Sequence, residues 1–262
     1  MTVDLGNYST VLAACRAWGD RQAAVKAANP PAGFTWYGWE ILANAWHLDA
    51  LLDGSRRDLL ARIAGQPIAD IGAADGDLGF FLESLGFEVD LIDWPATNWN
   101  GLRGARRLKE LLGSKAGIHE VDLDSQFRLP RERYGLVLLL GILYHLKNPH
   151  FVLEQLAQRT RYCVLSTRVA RQTTDGRVRL DAAPLAYLLA PDECNNDATN
   201  YWIFSMPGLL RLVDRCGWNV VAQRTVGDTR RSNPSAHDHD ERAFLLLESR
   251  HAAPQQAPVS AP

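Results

Sequence analysis

Hydrophobic positions change their spacing near Pro67, and this change divides the chain into two parts. After Pro67, short apolar runs alternate with helical stretches, which is typical of strands and helices that follow each other in a parallel sheet. The predicted strands cover residues 68–71, 88–92, 118–121, 136–140 and 162–166. The predicted helices between them cover 78–85, 102–112 and 151–159, and the first two end at a glycine.

The segments on either side of this pattern have other spacings. Residues 8–64 carry apolar positions at helical intervals, interrupted at 29–39 by an aromatic segment broken by Pro and Gly that we interpret as a flap over a site. The long segment 168–204 shows no clear strand period in its second half, and we interpret it as a lid. After a helix at 206–216, two further apolar runs predict an antiparallel pair of strands at the sheet edge.

These elements predict an α/β fold with a doubly wound, Rossmann-like, seven-stranded and mostly parallel sheet. The predicted fold also has an N-terminal helical extension and an antiparallel C-terminal edge strand. The predicted organisation is a helical cap at 1–64 and a main domain at 65–250, with the lid at 168–204. The tail at 251–262 is rich in Ala, Pro and Gln and is predicted to be disordered.

Composition narrows the class of protein. The chain has 262 residues, of which 47% are hydrophobic and 22% charged, and this excludes collagen, coiled coils and wholesale disorder. A formal charge of -2 supplies no long-range attraction to nucleic acid or to an anionic membrane. The four cysteines form no CxxC pair, and no apolar run is long enough for a membrane span, so we expect a cytoplasmic protein.

The first predicted strand leads into a loop of small and acidic residues, DIGAADGDL at 70–78. Ligands of open α/β sheets bind at this position, beyond the carboxyl ends of the strands. A pyrophosphate prefers uncharged backbone amides in the spacing GxGxxG, whereas this loop has three carboxylates. Carboxylates that rim the crevice would repel a diphosphate and suit an ammonium and a sulfonium group, as in S-adenosylmethionine. The predicted contacts within the loop are Asp70, Gly72, Ala74, Asp75 and Gly76.

Acidic residues also follow the next two strands. Asp93, with Trp94 beside it, is placed to accept hydrogen bonds from both ribose hydroxyls. Asp122 is placed to bond the adenine amine, with Leu123 beside the ring. Turn and helix-cap roles for both aspartates remain open alternatives.

The run from residue 68 to 249 resembles class I S-adenosylmethionine-dependent methyltransferases, whose D-x-G-x-G-x-G loop corresponds to 70–76 with Ala74 at the middle glycine. GILYHLKNP at 141–149 is similar to a segment of the tRNA wobble-uridine carboxymethyltransferases and their relatives. That resemblance implies that the turn lines the cofactor pocket, with Gly141 and Leu143 as contacts. The lysine and the C-terminal Gln-Arg-Thr motif that hold carboxy-S-adenosylmethionine in that family are absent, which favours ordinary methyl transfer.

The acceptor side is predicted from the same turn. His145 is the best-placed base for a hydroxyl or amine acceptor, and Tyr144 is placed to orient the cofactor or the acceptor. A purely structural hydrogen-bonding role for His145 is equally open. The polar and aromatic lid and the flap supply candidate substrate contacts, with packing or capping as their alternatives: Asn200, Tyr201, Trp202, Trp36 and Tyr37.

Two other clusters carry weaker signals. His237 and His239 lie among consecutive acidic residues, but such neighbours rarely converge on one ion, so no metal is predicted. Four basic residues between 103 and 109 are interpreted as a solvated helix face.

The sequence therefore predicts methyl transfer from S-adenosylmethionine to an oxygen or nitrogen atom of a small or medium-sized acceptor. Two alternatives remain: tRNA wobble-uridine modification, and a cofactor-binding partner subunit without catalysis. A nicotinamide dehydrogenase is disfavoured by the acidic loop.

Overall fold

The computed structural model describes residues 3–235 and 237–251. The helices are α1 (Tyr8–Ala28), α2 (Asn44–Leu51), α3 (Leu59–Arg62), α4 (Asp77–Ser84), α5 (Arg103–Leu112), α6 (Pro149–Arg159) and α7 (Met206–Arg215). The strands are β1 (Ile68–Ile71), β2 (Val89–Asp93), β3 (Gly117–Glu120), β4 (Tyr134–Leu140), β5 (Thr160–Val169), β6 (Ala186–Leu188), β7 (Trp202–Phe204), β8 (Trp218–Gly227) and β9 (Glu241–Ser249). The tail predicted to be disordered lies outside the described residues, apart from its first residue.

The predicted α/β fold is confirmed. Strands β3, β2, β1, β4 and β5 are hydrogen-bonded in that order and run parallel. β9 pairs antiparallel with β5 along its length and also with β8, which forms one edge. With β6 and β7 at the end of β5, the sheet in the described residues has nine strands, two more than the seven predicted. The central strands are buried on both faces, as expected for parallel strands covered by helices.

Two apolar clusters cover the two faces of this sheet. One contains residues of α1, α2 and α4 together with Phe244 and Leu246 of β9. The other contains residues of α6 and α7 together with Ala243 and Leu245. Alternate residues of β9 thus point to opposite faces, and the N-terminal helices are packed on the first face.

The lid contains a feature that its sequence does not predict. β6 and β7 form a short antiparallel hairpin that joins the end of β5 through the pair of Val169 and Phe204. Strands of three residues are too short to show a period in the sequence. The hairpin holds the lid at the carboxyl edge of the parallel strands, where the candidate site lies.

Candidate functional site

The loop after β1 depends on backbone conformations that favour glycine. Gly72 and Gly76 have φ angles of +71° and +84°. A Cβ on Gly72 would overlap the Ile142 side chain, and one on Gly76 would lie 2.6 Å from Leu91 Cδ1. Ala74, where the resembled loop has its middle glycine, also has a positive φ of 52°. The two glycines therefore serve close packing as well as the turn.

Asp93, at the end of β2, lies directly beside this loop. Its Oδ2 accepts hydrogen bonds from the Ala74 backbone N–H at 3.0 Å and from Asn98 Nδ2 at 2.8 Å, and its Oδ1 accepts from the Trp94 N–H at 2.7 Å. Burial raises the pKa of Asp93, and these hydrogen bonds oppose the rise. The structure thus brings together a carboxylate and the glycine loop that the sequence placed at separate strand ends. Trp94 is 38% exposed next to them.

Asp75 and Asp77 are engaged by the rest of the protein. The Asp75 carboxylate accepts hydrogen bonds from the Tyr37 backbone N–H at 2.7 Å and from Asn100 Nδ2 at 2.8 Å. Lys26 Nζ of α1 lies 2.6 Å from Asp77 Oδ1 and 3.5 Å from Asp75 Oδ2. These contacts connect the glycine loop to α1 and to the flap.

Asp70, near the end of β1, is 5% exposed and its carboxylate lies against Gly79 of α4. Burial raises its pKa to about 7; the Gly79 backbone hydrogen bond lowers it, and the charges of Asp93 and Asp77 raise it further. The expectation that three loop carboxylates rim an open crevice was therefore wrong. Asp70, Asp75 and Asp77 turn inward because α1 and α4 pack over the loop, and Asp93 is the carboxylate left beside it.

The turn after β4 forms the other half of the site. Gly141 adopts a φ of +74°, and its N–H donates to the Ser166 carbonyl of β5 at 2.9 Å. Leu143 is fully buried in the core beneath the turn, so its side chain packs rather than lining an open surface. Tyr144 and His145 follow it, with their ring centroids 4.4 Å apart. The turn therefore presents two polar side chains at the carboxyl edge.

The lid fixes the orientation of the His145 ring. Nδ1 lies 3.1 Å from the Thr199 carbonyl oxygen and 3.0 Å from Thr199 Oγ1. Because a carbonyl only accepts hydrogen bonds, Nδ1 carries the proton and a neutral ring presents Nε2 as a base. Thr199 Oγ1 in turn donates to Asp197 Oδ1 at 2.6 Å. Burial, the largest effect, lowers the pKa of His145, which keeps the imidazole neutral near pH 7.

Arg242 is a site residue that the sequence analysis missed. Its guanidinium carbon lies 5.9 Å from the centroid of the Tyr144 ring, and its charge also acts on Tyr37. Burial raises the pKa of Tyr37 to about 12. The sequence feature that could have identified Arg242 is its position as a charged residue at the start of an otherwise apolar strand.

Other predicted contacts have structural roles. Trp36 packs against the N-terminal apolar cluster, with Lys26 Nζ 5.4 Å from its ring centroid. The Asp122 carboxylate accepts hydrogen bonds from the Asp124 N–H and the Ser125 hydroxyl, which is the turn role left open above, and Leu123 is buried in the core. Contact of Asp122 and Leu123 with an adenine ring stays a prediction.

The lid residues differ in what they contact. Asn200 is 4% exposed, and its Nδ2 donates to the carbonyls of Cys194 and Asp197, so it stabilises the lid from inside. The Tyr201 N–H donates to the Tyr144 carbonyl at 2.8 Å and joins the lid to the β4 turn. Trp202 is half-buried in β7 against the core. Substrate contacts by these three residues stay predictions.

Among residues 3–235 and 237–251, no group of three or more His, Cys, Asp or Glu side chains is arranged to hold a metal ion. No helix in the same ranges combines the length and hydropathy of a membrane span.

The mostly parallel sheet, the antiparallel β9 and the glycine loop after β1 form a Rossmann-like fold that the chain shares with S-adenosylmethionine-dependent methyltransferases of known structure. The N-terminal domain of EvdMO1, solved with S-adenosylhomocysteine bound, is 16% identical and has a TM-score of 0.55, over 88% of this chain and 96% of that one. No protein-family model and no curated protein matches the chain.

Two more solved structures share the fold. The [4+2]-cyclase SpnF is 12% identical with a TM-score of 0.55, over 88% of this chain and 92% of SpnF. A candidate methyltransferase from Bacillus halodurans is 13% identical with a TM-score of 0.53, over 72% of this chain and 96% of that one. Because one of these structures is a cyclase, the fold alone does not decide the reaction.

Proposed function

We propose that the protein binds S-adenosylmethionine and transfers its methyl group to an oxygen or nitrogen atom of a small or medium-sized acceptor. The proposal rests on two side chains that lie at one edge of the sheet. Asp93 is hydrogen-bonded to the glycine loop, and His145 donates from Nδ1, so its unprotonated ring nitrogen is Nε2. Ligands of open α/β sheets bind at this edge. The fold that this chain shares with a domain solved with S-adenosylhomocysteine supports the choice of cofactor.

The residues suit this cofactor in different ways. Asp93 offers a carboxylate for the ribose hydroxyls, and the loop backbone from Gly72 to Gly76 lies beside it. When bound, S-adenosylmethionine supplies an electrophilic methyl group next to a good leaving group. Positioning of the acceptor then accounts for most of the lowering of the barrier, about 7 to 11 kcal/mol when alignment is good.

His145 supplies the proton transfer that a hydroxyl or ammonium acceptor needs. Its Nδ1–H is held by Thr199, so Nε2 accepts the acceptor proton without a change of tautomer. The lowered pKa keeps that nitrogen unprotonated at neutral pH. Tyr144, packed on the imidazole, orients the acceptor or the cofactor.

Calorimetric titration with S-adenosylhomocysteine, S-adenosylmethionine and NAD tests the binding step. We expect both adenosyl compounds to bind and NAD to bind poorly. Asp93→Ala should weaken the affinity for S-adenosylhomocysteine by about 1 to 3 kcal/mol, since a charged acceptor of hydrogen bonds is lost. Glu120→Ala, at the end of neighbouring β3, is the control and should leave affinity unchanged. Selective binding of NAD, or an unchanged affinity in Asp93→Ala, would contradict the proposal.

Methyl transfer itself needs a separate measurement, because a cyclase shares the fold. Release of S-adenosylhomocysteine is to be followed over a set of hydroxylated and amino compounds and bulk tRNA. Turnover of a small compound supports the proposal. Turnover of tRNA alone, with binding that weakens steeply as salt rises, would support the RNA-modifying alternative. Cofactor binding without turnover of any compound would favour the non-catalytic alternative.

The predicted basic helix face does not single out an RNA substrate. Arg106 pairs with Glu120, and Arg107 pairs with Glu110 at 3.2 Å. Arg103 donates to the Gly33 carbonyl of the flap. These arginines are engaged within the protein, as expected for a solvated face with internal pairs.

A further inference from the structure

Asn98 lies in a tight turn between β2 and α5 and folds back onto the end of β2. Its backbone N–H and that of Thr97 donate to the Trp94 carbonyl at 2.9 and 3.1 Å. The turn brings the half-buried Asn98 side chain to Asp93, five residues earlier in the chain. The Asn98 amide therefore contacts the candidate site, although Asn98 was not among the predicted contacts.

The two ends of the Asn98 amide contact different parts of the protein. Oδ1 accepts hydrogen bonds from the backbone N–H groups of Asn100 at 3.1 Å and of Leu102 at 2.8 Å, just before α5. Nδ2 donates to Asp93 Oδ2 at 2.8 Å and lies 3.4 Å from the Ala74 carbonyl oxygen. Because backbone N–H groups only donate, they hold Oδ1 on their side and leave Nδ2 for Asp93. The oxygen end thus stabilises the turn, and the nitrogen end contacts the site.

Asn98 differs from the other donors to Asp93. Ala74 and Trp94 donate from backbone N–H groups, so in the part of the chain that the structure describes Asn98 is the only side chain that donates to this carboxylate. The amide is also neutral. It stabilises the carboxylate without cancelling its charge, whereas Lys26 places a cation against the loop carboxylates. Asp93 therefore remains able to accept charge-assisted hydrogen bonds from a ligand.

We infer that Asn98 is a positioning residue that orients the Asp93 carboxylate for the ribose of the cofactor and holds it beside the glycine loop. The inference rests on the proposed binding of S-adenosylmethionine. Within the protein Asp93 Oδ2 accepts two hydrogen bonds and Oδ1 accepts one, so this orientation leaves Oδ1 with more capacity for a ligand hydroxyl. A group that is ordered before the ligand arrives need not be ordered on binding, which favours affinity.

The same hydrogen bond favours the ionised form of Asp93. Burial raises the pKa of Asp93, and the hydrogen bond from Asn98 opposes this rise more than those from Trp94 and Ala74 do. An ionised carboxylate accepts a stronger hydrogen bond from a hydroxyl than a neutral carboxyl group does. Loss of the amide donor should therefore weaken ribose binding through both the orientation and the charge of Asp93.

Asn98→Asp tests the inference while retaining the turn. The new carboxylate keeps an oxygen for the N–H groups of Asn100 and Leu102, but it places a second negative charge beside Asp93 in place of a donor. We expect the affinity for S-adenosylhomocysteine, measured by calorimetry, to fall at least about tenfold at pH 8. At pH 5 a proton shared by the two carboxylates restores a donor, so most of the affinity should return.

The loss is taken as the ratio to the wild-type affinity at the same pH, which removes the effect of other titrating groups. Asn219→Asp, which adds the same charge on exposed β8, is the matched control and should behave as the wild type does. An affinity of Asn98→Asp equal to that of the wild type at pH 8 would overturn the inference. A loss of the same size at both pH values would mean general damage to the site and would overturn it too.

A double-mutant cycle assigns the effect to Asp93. Asn98→Ala should weaken binding of S-adenosylhomocysteine about tenfold in the wild-type background, but by less than about twofold in Asp93→Ala, because residues that act through one contact are not additive. A tenfold loss in both backgrounds would show that Asn98 acts independently of Asp93 and would overturn the inference. Urea unfolding identifies a variant that fails to fold, in which case Asn98→Asp decides the question.

Binding to the wild type separates this inference from the proposed function. Failure of the wild type to bind S-adenosylhomocysteine would refute the proposed function and the inference with it. Wild-type binding that Asn98→Asp and Asn98→Ala leave unchanged would refute the role of Asn98 alone.

Discussion

At the β1 and β2 half of the carboxyl edge, Asp75, Asp77 and Asp93 each accept hydrogen bonds from other parts of the protein. At the β4 and β9 half, His145 Nε2 has no hydrogen-bond partner, and Arg242 has no carboxylate partner, in the part of the chain that the structure describes. The first half is therefore preorganised by internal contacts. The second half keeps a base available for a ligand.

Under the proposed function, the β1 and β2 half binds the cofactor and the β4 and β9 half binds the acceptor, and they are called the cofactor half and the acceptor half below. Internal contacts fix the shape of the cofactor half, and three of its four carboxylates are withdrawn from a ligand. In the acceptor half, the His145 Nε2 lone pair has no hydrogen-bond partner in the described residues, and Arg242 contacts the Tyr144 ring rather than a carboxylate. Removing groups from the two halves should therefore produce different kinds of defect.

The largest expected effect is on the acceptor half. With an acceptor from the turnover screen, His145→Ala should lower kcat by about 10² to 10⁴, the range of general base catalysis, while affinity for S-adenosylhomocysteine is retained. Because the pKa of His145 is lowered, the midpoint of the loss of wild-type activity on the acid side should lie below about pH 6.5, the ordinary value for histidine. His150→Ala, an exposed histidine of α6, is the control. Loss of cofactor affinity in His145→Ala would mean a structural role.

In the cofactor half, Lys26→Met should affect stability. It leaves Asp75 and Asp77 buried without their cation, and removal of one partner from a buried pair lowers the free energy of unfolding by about 3 to 5 kcal/mol. Urea unfolding measures the loss. The double variant Lys26→Met with Asp77→Asn should recover part of it. A single variant as stable as wild type would show that these carboxylates do not depend on α1.

Asp70 makes the stability of the cofactor half depend on pH. The folded protein holds a proton up to about pH 7, whereas an unfolded aspartate releases it near pH 4. Stability contributed by this proton is therefore lost as pH rises from about 4 to 7. Asp70→Asn, which stays neutral, should be more stable than wild type by about 2 to 4 kcal/mol at pH 8 and by much less at pH 5.

Urea unfolding of wild type and Asp70→Asn at pH 5 and pH 8 measures this difference. Asp192→Asn, at an exposed position, is the matched control and should show no such dependence. A stability difference that is the same at both pH values would refute the raised pKa as its cause.

The smallest expected effect concerns the contacts that orient His145. Thr199→Val removes the hydroxyl between the imidazole and Asp197 but leaves the Thr199 carbonyl as a partner of Nδ1. One neutral hydrogen bond contributes about 1 kcal/mol, so kcat should fall about fivefold with cofactor affinity unchanged. Thr174→Val, in an exposed part of the lid, is the control. A loss as large as that of His145→Ala would mean that the whole lid had moved.

Much of the fold was predictable from the sequence because its signals are local. β1 has the predicted bounds, and β2 differs by one residue at each end. Apolar runs of four to seven residues between helical stretches specify buried parallel strands whatever their neighbours are. The β6 and β7 hairpin was not predictable, since its short strands depend on pairing with the end of β5.

The candidate site was predictable in its residues more than in its electrostatics. Gly72, Asp93, Tyr144 and His145 were identified from their positions after strands, and the structure brings them to one edge. The direction in which Asp75 points was not predictable, because Lys26 lies 49 residues away in the sequence. Arg242 was missed for a similar reason: the antiparallel pair was predicted, but the pairing of β9 with β5, which brings Arg242 to this edge, joins segments remote in the chain.

The sequence by itself determined the alternation of strands and helices, the glycine loop and the order of polar residues at strand ends, since hydrophobic periodicity and backbone conformation act over short distances. Only the tertiary structure decided which charges are neutralised and which remain available. Neutralisation depends on distances of a few ångströms between side chains that are remote in the chain. Packing of α1 on the loop and insertion of β9 beside β5 set those distances.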